Sequence, residues 1–286
     1  MDSFGIIVEF NKRTMSDNSS IKANTAVHNR ISCNYESLHK EIFNPEEQAR
    51  IRQCVNLCLK TLRTSSKFKI ALDYGCGSGN LTKHFLESGL RVAAVDVSIK
   101  FLKMVRNRFA ERQDLILLNT SGGRLEYIKD KSIDLCACYS VLHHVPDYLA
   151  LIKEFGRVTK TGGIIYLDHE RCSSFWHKND VYKNFLLLCS KKSGFSFARL
   201  RKYLKPHNYV NVIMRTFDKK YQPEGDIHVW EDDHIEWEEI ESLLRKSGFE
   251  IVIKSDYLSY NNYPPEIYNK YKNECCDYTA LIARKL

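Results

Sequence analysis

Lys69-Ile70-Ala71-Leu72-Asp73-Tyr74-Gly75-Cys76-Gly77-Ser78-Gly79-Asn80-Leu81 is a short apolar run that ends in an acid, turns on alternating glycines and enters a helical pattern. Glycine adopts backbone angles other residues avoid and lets the main chain approach a ligand; the first N–H groups of the next helix lack helical partners. In an open α/β sheet, a strand–loop–helix of this kind lines a ligand crevice at the strand C-termini. The pattern repeats downstream. Arg91 to Asp96, Leu115 to Leu118, a segment within Ser132 to Ser140, and Gly163 to Asp168 read as strands, while Asn80 to Ser88, Ser98 to Glu111 and Tyr148 to Val158 read as helices. Such alternation implies right-handed crossovers and a doubly wound, mostly parallel sheet covered on both faces.

The flanks differ in character. Residues 1–30, polar and Ser/Asn-rich from Ser16 to Ala26, are expected to be a mobile tail. Residues 31–66 form a helical cap, because Asn44 can cap a helix with Pro45 at its first position, Glu46 and Glu47 in its first turn, and Ile51, Val55, Cys58, Leu59 and Leu62 on one face. The α/β core occupies 67–170 and 233–286. Between them, 171–232 is a helical insertion rich in Phe175, Trp176, Tyr182, Phe185, Phe195, Phe197, Tyr203, Tyr209 and Phe217. It is placed to close a pocket, although most of these rings must form its own core. After a helix from Asp233, which is its expected cap, Phe249 to Ser255 and Asp277 to Arg284 read as consecutive strands without a crossover helix, hence an antiparallel pair. The expected architecture is therefore a seven-stranded sheet with an antiparallel last strand.

Composition narrows the class. A hydrophobic share of 43% and the lack of any apolar run near the roughly 20 residues of a membrane span predict a soluble protein. The first residues lack a secretory pattern, so a cytoplasmic location is expected. Ten scattered cysteines without CxxC spacing read as free thiols, and no metal site is expected. The net charge of +8 is concentrated in Lys183 to Phe217, followed by an acidic run from Gln222 to Leu244. Opposed neighbouring segments can face one another, so the charge does not require a nucleic-acid partner.

Asp96 ends the second strand about 20 residues beyond the glycine loop, where a carboxylate can accept from both hydroxyls of a ribose. A nicotinamide dinucleotide is disfavoured, because Asn80 stands where its fingerprint needs a small residue. The segment from Ile70 to Asp168 resembles the class I, Rossmann-like S-adenosylmethionine-dependent methyltransferases, and most nearly their stand-alone small-molecule branch. The resemblance is carried by Asp73 to Gly79, Asp96, Ser132-Ile133-Asp134, Val141-Leu142-His143-His144-Val145-Pro146-Asp147, Thr161-Gly162-Gly163 and the last strand. It implies S-adenosyl-L-methionine as cofactor, with Gly75, Gly77 and Gly79 against its methionine part and Asp73 near its amino group. Asp96 would take the ribose; where the family grips the adenine with an Asp and a small residue, Asn119-Thr120-Ser121-Gly122 stands here, and Val97, Asn119, Thr120 and Tyr139 are the further expected cofactor contacts.

Methyl transfer is an in-line displacement that gains rate from alignment and exclusion of water, and a hydroxyl acceptor must also lose a proton. His143 and His144 after the fourth strand and His169 after the fifth are the candidate bases. His169 is favoured because Asp168 or Glu170 could hold its tautomer; of the first two, one lines the pocket and the other packs. Asp226 to His234 superficially resembles a metal site around His228, without a closed ligand set. The leading expectation is an enzyme acting on a hydroxyl, carboxyl or amine of a small metabolite, peptide or sugar. The alternatives are an RNA (tRNA) methyltransferase, although no Asn/Asp-Pro-Pro-Tyr/Phe signature follows strand four, and a non-catalytic cofactor-binding scaffold subunit.

Overall fold

Asn44 caps the long helix as expected: its Oδ1 accepts from Glu47 N at 3.0 Å, and Pro45 opens helix α3 (Pro45–Thr61). The computed structural model describes residues 4–6, 19–32, 35–177, 179–192, 216, 222 and 225–286. Ahead of α3 stand α1 (Ser19–Ile31) and the single turn α2 (Tyr35–Leu38). Helix α1 corrects the expected tail. Its Ile21, Asn24 and His28 share one face at spacings of three and four residues, a signal masked by the Ser/Asn-rich composition. Residues 1–3 and 7–18 of that expectation lie outside the described residues.

The core follows in order: β1 (Ile70–Tyr74), α4 (Asn80–Glu87), β2 (Arg91–Asp96), α5 (Ile99–Arg108), β3 (Leu115–Asn119), β4 (Ile133–Tyr139), α6 (Tyr148–Val158) and β5 (Thr159–Arg171). The insertion contributes α7 (Ser173–Trp176), α8 (Asp180–Lys192) and a small hairpin of β6 (Val229–Trp230) and β7 (Asp233–His234). The chain closes with α9 (Trp237–Lys246), β8 (Phe249–Tyr257), α10 (Pro265–Tyr271) and β9 (Tyr278–Lys285). Among the described residues, no helix is long and apolar enough to cross a membrane.

The main sheet has seven strands in the order β3-β2-β1-β4-β5-β9-β8. Its first five strands pair in parallel. Strand β9 slots antiparallel between β5 and β8, so the last strand in sequence is internal and β8 forms the edge. The link between β8 and β9, read without a crossover helix, contains the short α10.

Period-2 alternation sorts the strand residues between two cores. Leu72, Val95, Cys138 and Leu167 pack with Phe155 of α6 and with Trp237 and Leu244 of α9. Ala71, Ala94, Ala137 and Tyr166 pack with Val55 of α3, Phe85 of α4 and Val105 of α5. A third cluster joins Tyr182 and Phe185 of the insertion to Leu258, Tyr271 and Cys275. Residues 193–215, 217–221 and 223–224, which carry most of the expected basic segment and the remaining insertion aromatics, lie outside the described residues.

Two local boundaries are corrected. Thr161-Gly162-Gly163 is an irregularity inside β5, whose pairing jumps from Ile133↔Thr159 to Leu135↔Ile164. Asp233 is a hairpin residue paired with Trp230, and Glu236 takes the N-cap position of α9.

Candidate active site

The C-terminal ends of β1, β2 and β4 open onto a cavity of ≈ 700 Å³. Gly75 has φ +70, and a Cβ there would sit 2.5 Å from Val141 Cγ2, so only glycine lets the loop pass the end of β4. Gly77 lines the cavity with open space where a side chain would project. Asp96 fixes this loop: Oδ2 accepts from Gly77 N at 2.9 Å and Oδ1 from Ser98 N at 2.7 Å. Burial pushes the Asp96 carboxyl up to about 6 against those two amide bonds. Each oxygen keeps a second lone pair for a hydroxyl donor. Val97, Thr120 and Tyr139 also line the cavity.

Three expected cofactor contacts stand behind the wall instead. Asp73 is 1% exposed and accepts from Thr82 Oγ1 at 2.5 Å, with burial raising its carboxyl to about 7. Gly79, at φ +90, is the N-cap residue of α4 and abuts Phe109 and Val105. Asn119 donates from Nδ2 to the backbone oxygens of Asp96 and Val97. None of the three lines the cavity.

Sequence reasoning missed the opposite wall. Ile21, Asn24 and His28 of α1 cover the crevice, and a Cβ on Gly122 would come within 2.9 Å of Ile21 Cδ1. Asn24 Oδ1 is buried without a hydrogen-bond partner. Asn24 lines the cavity, and a buried acceptor without a partner is costly unless a donor reaches it. With the loop that only glycine can form and the Asp96 carboxylate, it matches the hydroxyl and amino donors of S-adenosylmethionine.

A second, more polar cavity of ≈ 1390 Å³ adjoins the first. Both are lined by His28, Tyr35, Ser140 and His144, which mark the junction. Two residues at these strand ends hold left-handed backbone without being glycine: Ser140 at φ +59 and His169 at φ +63. Such conformations cost of order 1–3 kcal/mol and concentrate at functional sites. At His169 the β5–β9 register skips a residue, which re-aims its ring.

His143 Nδ1 lies 2.7 Å from Glu170 Oε2, and Glu170 Oε1 accepts from Val141 N and Leu142 N. Burial opposes a charge on His143, but the Glu170 carboxylate prevails and raises it to about 9. His144 is pushed well below its ordinary value by burial, with His143 and His28 adding to the effect. Both rings line the second cavity, which corrects the expectation that one of them only packs.

The His169 ring is stacked between Tyr139 and Tyr278, at 4.7 and 3.8 Å. Neither adjacent carboxylate bonds its ring directly, and Asp168 acts through Tyr257. Nδ1 lies 3.0 Å from the Tyr257 hydroxyl, which itself donates to Asp168 Oδ1 at 3.0 Å. That hydroxyl must therefore accept from Nδ1–H, leaving Nε2 unprotonated. Burial, then Arg50, pushes the His169 pKa well below its ordinary value.

Behind these rings runs a network with no distinctive sequence signal. Arg50 of α3 bonds Glu47 and Asp168, the Tyr139 hydroxyl donates to Glu47 Oε1 at 2.7 Å, and the Tyr166 hydroxyl donates to Asp168. Glu47, expected as an acid in the first turn of α3, is 3% exposed. His228 is held at both ring nitrogens, by Asp233 Oδ1 at 2.6 Å and Val145 O at 3.1 Å, so it is unavailable as the metal ligand its stretch suggested.

Residues 72–167 match the family model described as "Methyltransferase domain". The chain is 30% identical over 122 residues to malonyl-[acyl-carrier protein] O-methyltransferase from Hamiltonella defensa, covering 42% of this chain and 45% of that protein. It is 32% identical over 108 residues to ubiquinone biosynthesis O-methyltransferase from Idiomarina loihiensis, covering 34% and 41%. The chain thus spans less than half the length of either relative. The solved N-methyltransferase NodS from Bradyrhizobium japonicum, in complex with S-adenosyl-l-homocysteine, shares the fold at a TM-score of 0.55 and 14% identity, over 92% of this chain and 98% of that one.

Proposed function

We propose that this chain, whose residues 72–167 match a methyltransferase domain, is a class I, Rossmann-like S-adenosylmethionine-dependent methyltransferase that methylates an oxygen, hydroxyl or carboxyl, of a small or medium-sized acceptor. The junction of the two cavities at Ser140 and His144 carries this reading, since a methyl group held in the first would face an acceptor held in the second. Both O-methyltransferase relatives support oxygen over nitrogen. So does the polar second wall, where Trp176 Nε1 and His39 Nε2 are buried without partners and can bond an oxygenated ligand.

S-adenosylmethionine supplies an electrophilic methyl carbon on a sulfonium. The chain's own residues orient and shield the reactants. Asp96 takes the ribose hydroxyls, Gly75 and Gly77 admit the methionine part, Val97 and Thr120 border the adenosine, and Asn24 accepts from a cofactor amino or hydroxyl group. Asp73, Gly79 and Asn119 act behind the wall, by holding Thr82, starting α4 and bracing the end of β2. His169, neutral and with Nε2 unprotonated, takes the proton of a hydroxyl acceptor, while Tyr257 and Asp168 hold its tautomer.

The test presents the protein with cofactor labelled in the methyl group and four acceptors: a hydroxylated arene, an acyl carboxylate, a primary amine and tRNA. Label on an oxygen acceptor is expected. Label confined to the amine or tRNA would overturn the assignment.

A further inference from the structure

We propose that His143, His144 and Asp226 form a binding site for a borderline divalent cation of the zinc class, set in the wall of the second cavity. His144 Nδ1 lies 3.4 Å and His143 Nε2 lies 3.8 Å from Asp226 Oδ1, and the three ligand atoms lie within 4.8 Å of one another. Ligands held about 2.0–2.2 Å from one tetrahedral ion stand about 3.3–3.6 Å apart, so small side-chain movements close the set.

The orientation of His143 is the second observation. Glu170 engages Nδ1 at 2.7 Å and is itself fixed by Val141 N and Leu142 N, which leaves Nε2 to face Asp226. A carboxylate behind a histidine is the arrangement that fixes ligand tautomer and ring direction in metal sites. Charge agrees, because a dication that displaces the His143 proton balances the Glu170 and Asp226 carboxylates. Two nitrogens and one carboxylate leave a coordination position open, as in sites that bind a substrate oxygen. His144 also lines the cofactor cavity, so an oxygen acceptor held there would stand beside the transferred methyl group. A hydroxyl in that position would pass its proton more readily to His169, which lines the same cavity, and its electron pair would take the methyl carbon as S-adenosylhomocysteine leaves. Only this last consequence rests on the methyltransferase reading.

Zinc chloride is titrated calorimetrically into the full chain carrying Cys276→Ser, which removes the competing Cys172, Asp256 and Cys276 cluster. The same samples are titrated with S-adenosylmethionine. One equivalent of zinc should bind, and the near-isosteric Asp226→Asn and His144→Gln should each weaken it at least ten-fold. Absence of stoichiometric binding, or binding indifferent to both substitutions, would overturn the site; cofactor binding in those samples would then show that the proposed function stands without it.

Discussion

Arg50 Nη2 lies 2.9 Å from Asp168 Oδ2, which joins the middle of α3 to the tip of β5 by a charged contact behind the second cavity. The same guanidinium holds Glu47 and stacks 3.7 Å from the centre of the Tyr257 ring. Removing it leaves two carboxylates buried without their cation. Arg50→Met should therefore lower the unfolding free energy by about 3–5 kcal/mol in urea titration. A loss below about 1 kcal/mol would show that the network contributes little.

Asn24 yields a prediction of opposite kind. Its Oδ1 has no partner in the free protein, so Asn24→Ala removes an unsatisfied buried acceptor. Thermal stability should hold or rise, while affinity for S-adenosylhomocysteine falls by about 1 kcal/mol. Unchanged affinity would free α1 from any role in the cofactor site.

For the ribose, Asp96→Ala should weaken cofactor binding by about 1–3 kcal/mol, because it removes charge-assisted bonds. Only the ionised carboxylate accepts from both hydroxyls, and burial has raised its pKa to about 6. Affinity should consequently fall as pH drops through 6 in the parent and stay flat in Asp96→Asn. Parallel profiles would place the ribose elsewhere.

Asp73 tests electrostatics without any ligand. Its pKa is about 7 in the fold, against an ordinary 3.8, so the folded state holds this proton more tightly than the unfolded one. That contribution is present in full below 3.8 and is lost as pH rises through 7. Asp73→Asn keeps an acceptor for Thr82 and cannot ionise, so its melting temperature should gain on the parent's from pH 4 to pH 8. A gap that is constant with pH would contradict the buried acid.

Much of the fold was legible because hydrophobic periodicity reports burial directly. Arg91–Asp96 and Tyr148–Val158 are strand and helix over the expected residues. The position of β9 inside the sheet was not legible, because apolar content does not distinguish an internal strand from an edge partner. Asp96, Gly75 and Gly77 stand where chain position implied, since a glycine loop and an acid at successive strand ends leave little freedom. Long-range partners were beyond sequence reasoning. Tyr257 sets the His169 tautomer from 88 residues away, and Asp226 meets His143 and His144 although the acid and histidines of its own stretch drew attention to His228. Helix α1 was hidden because the composition that suggests a tail also suits a helix whose polar Asn24 lines a cavity.

At the second cavity, Tyr257→Phe removes the hydroxyl between Asp168 and His169 without emptying the space. Single-turnover transfer to a hydroxyl acceptor should slow by about ten- to a hundred-fold, with cofactor affinity unchanged. An undiminished rate would show that alignment alone drives transfer and that the His169 tautomer is immaterial.

Calorimetric titration with S-adenosylmethionine followed by S-adenosylhomocysteine tests the first cavity as the cofactor site without knowledge of the acceptor. One-to-one binding of both at micromolar affinity, weakened in Asp96→Ala, is the predicted result. No binding of either by correctly folded protein would contradict it.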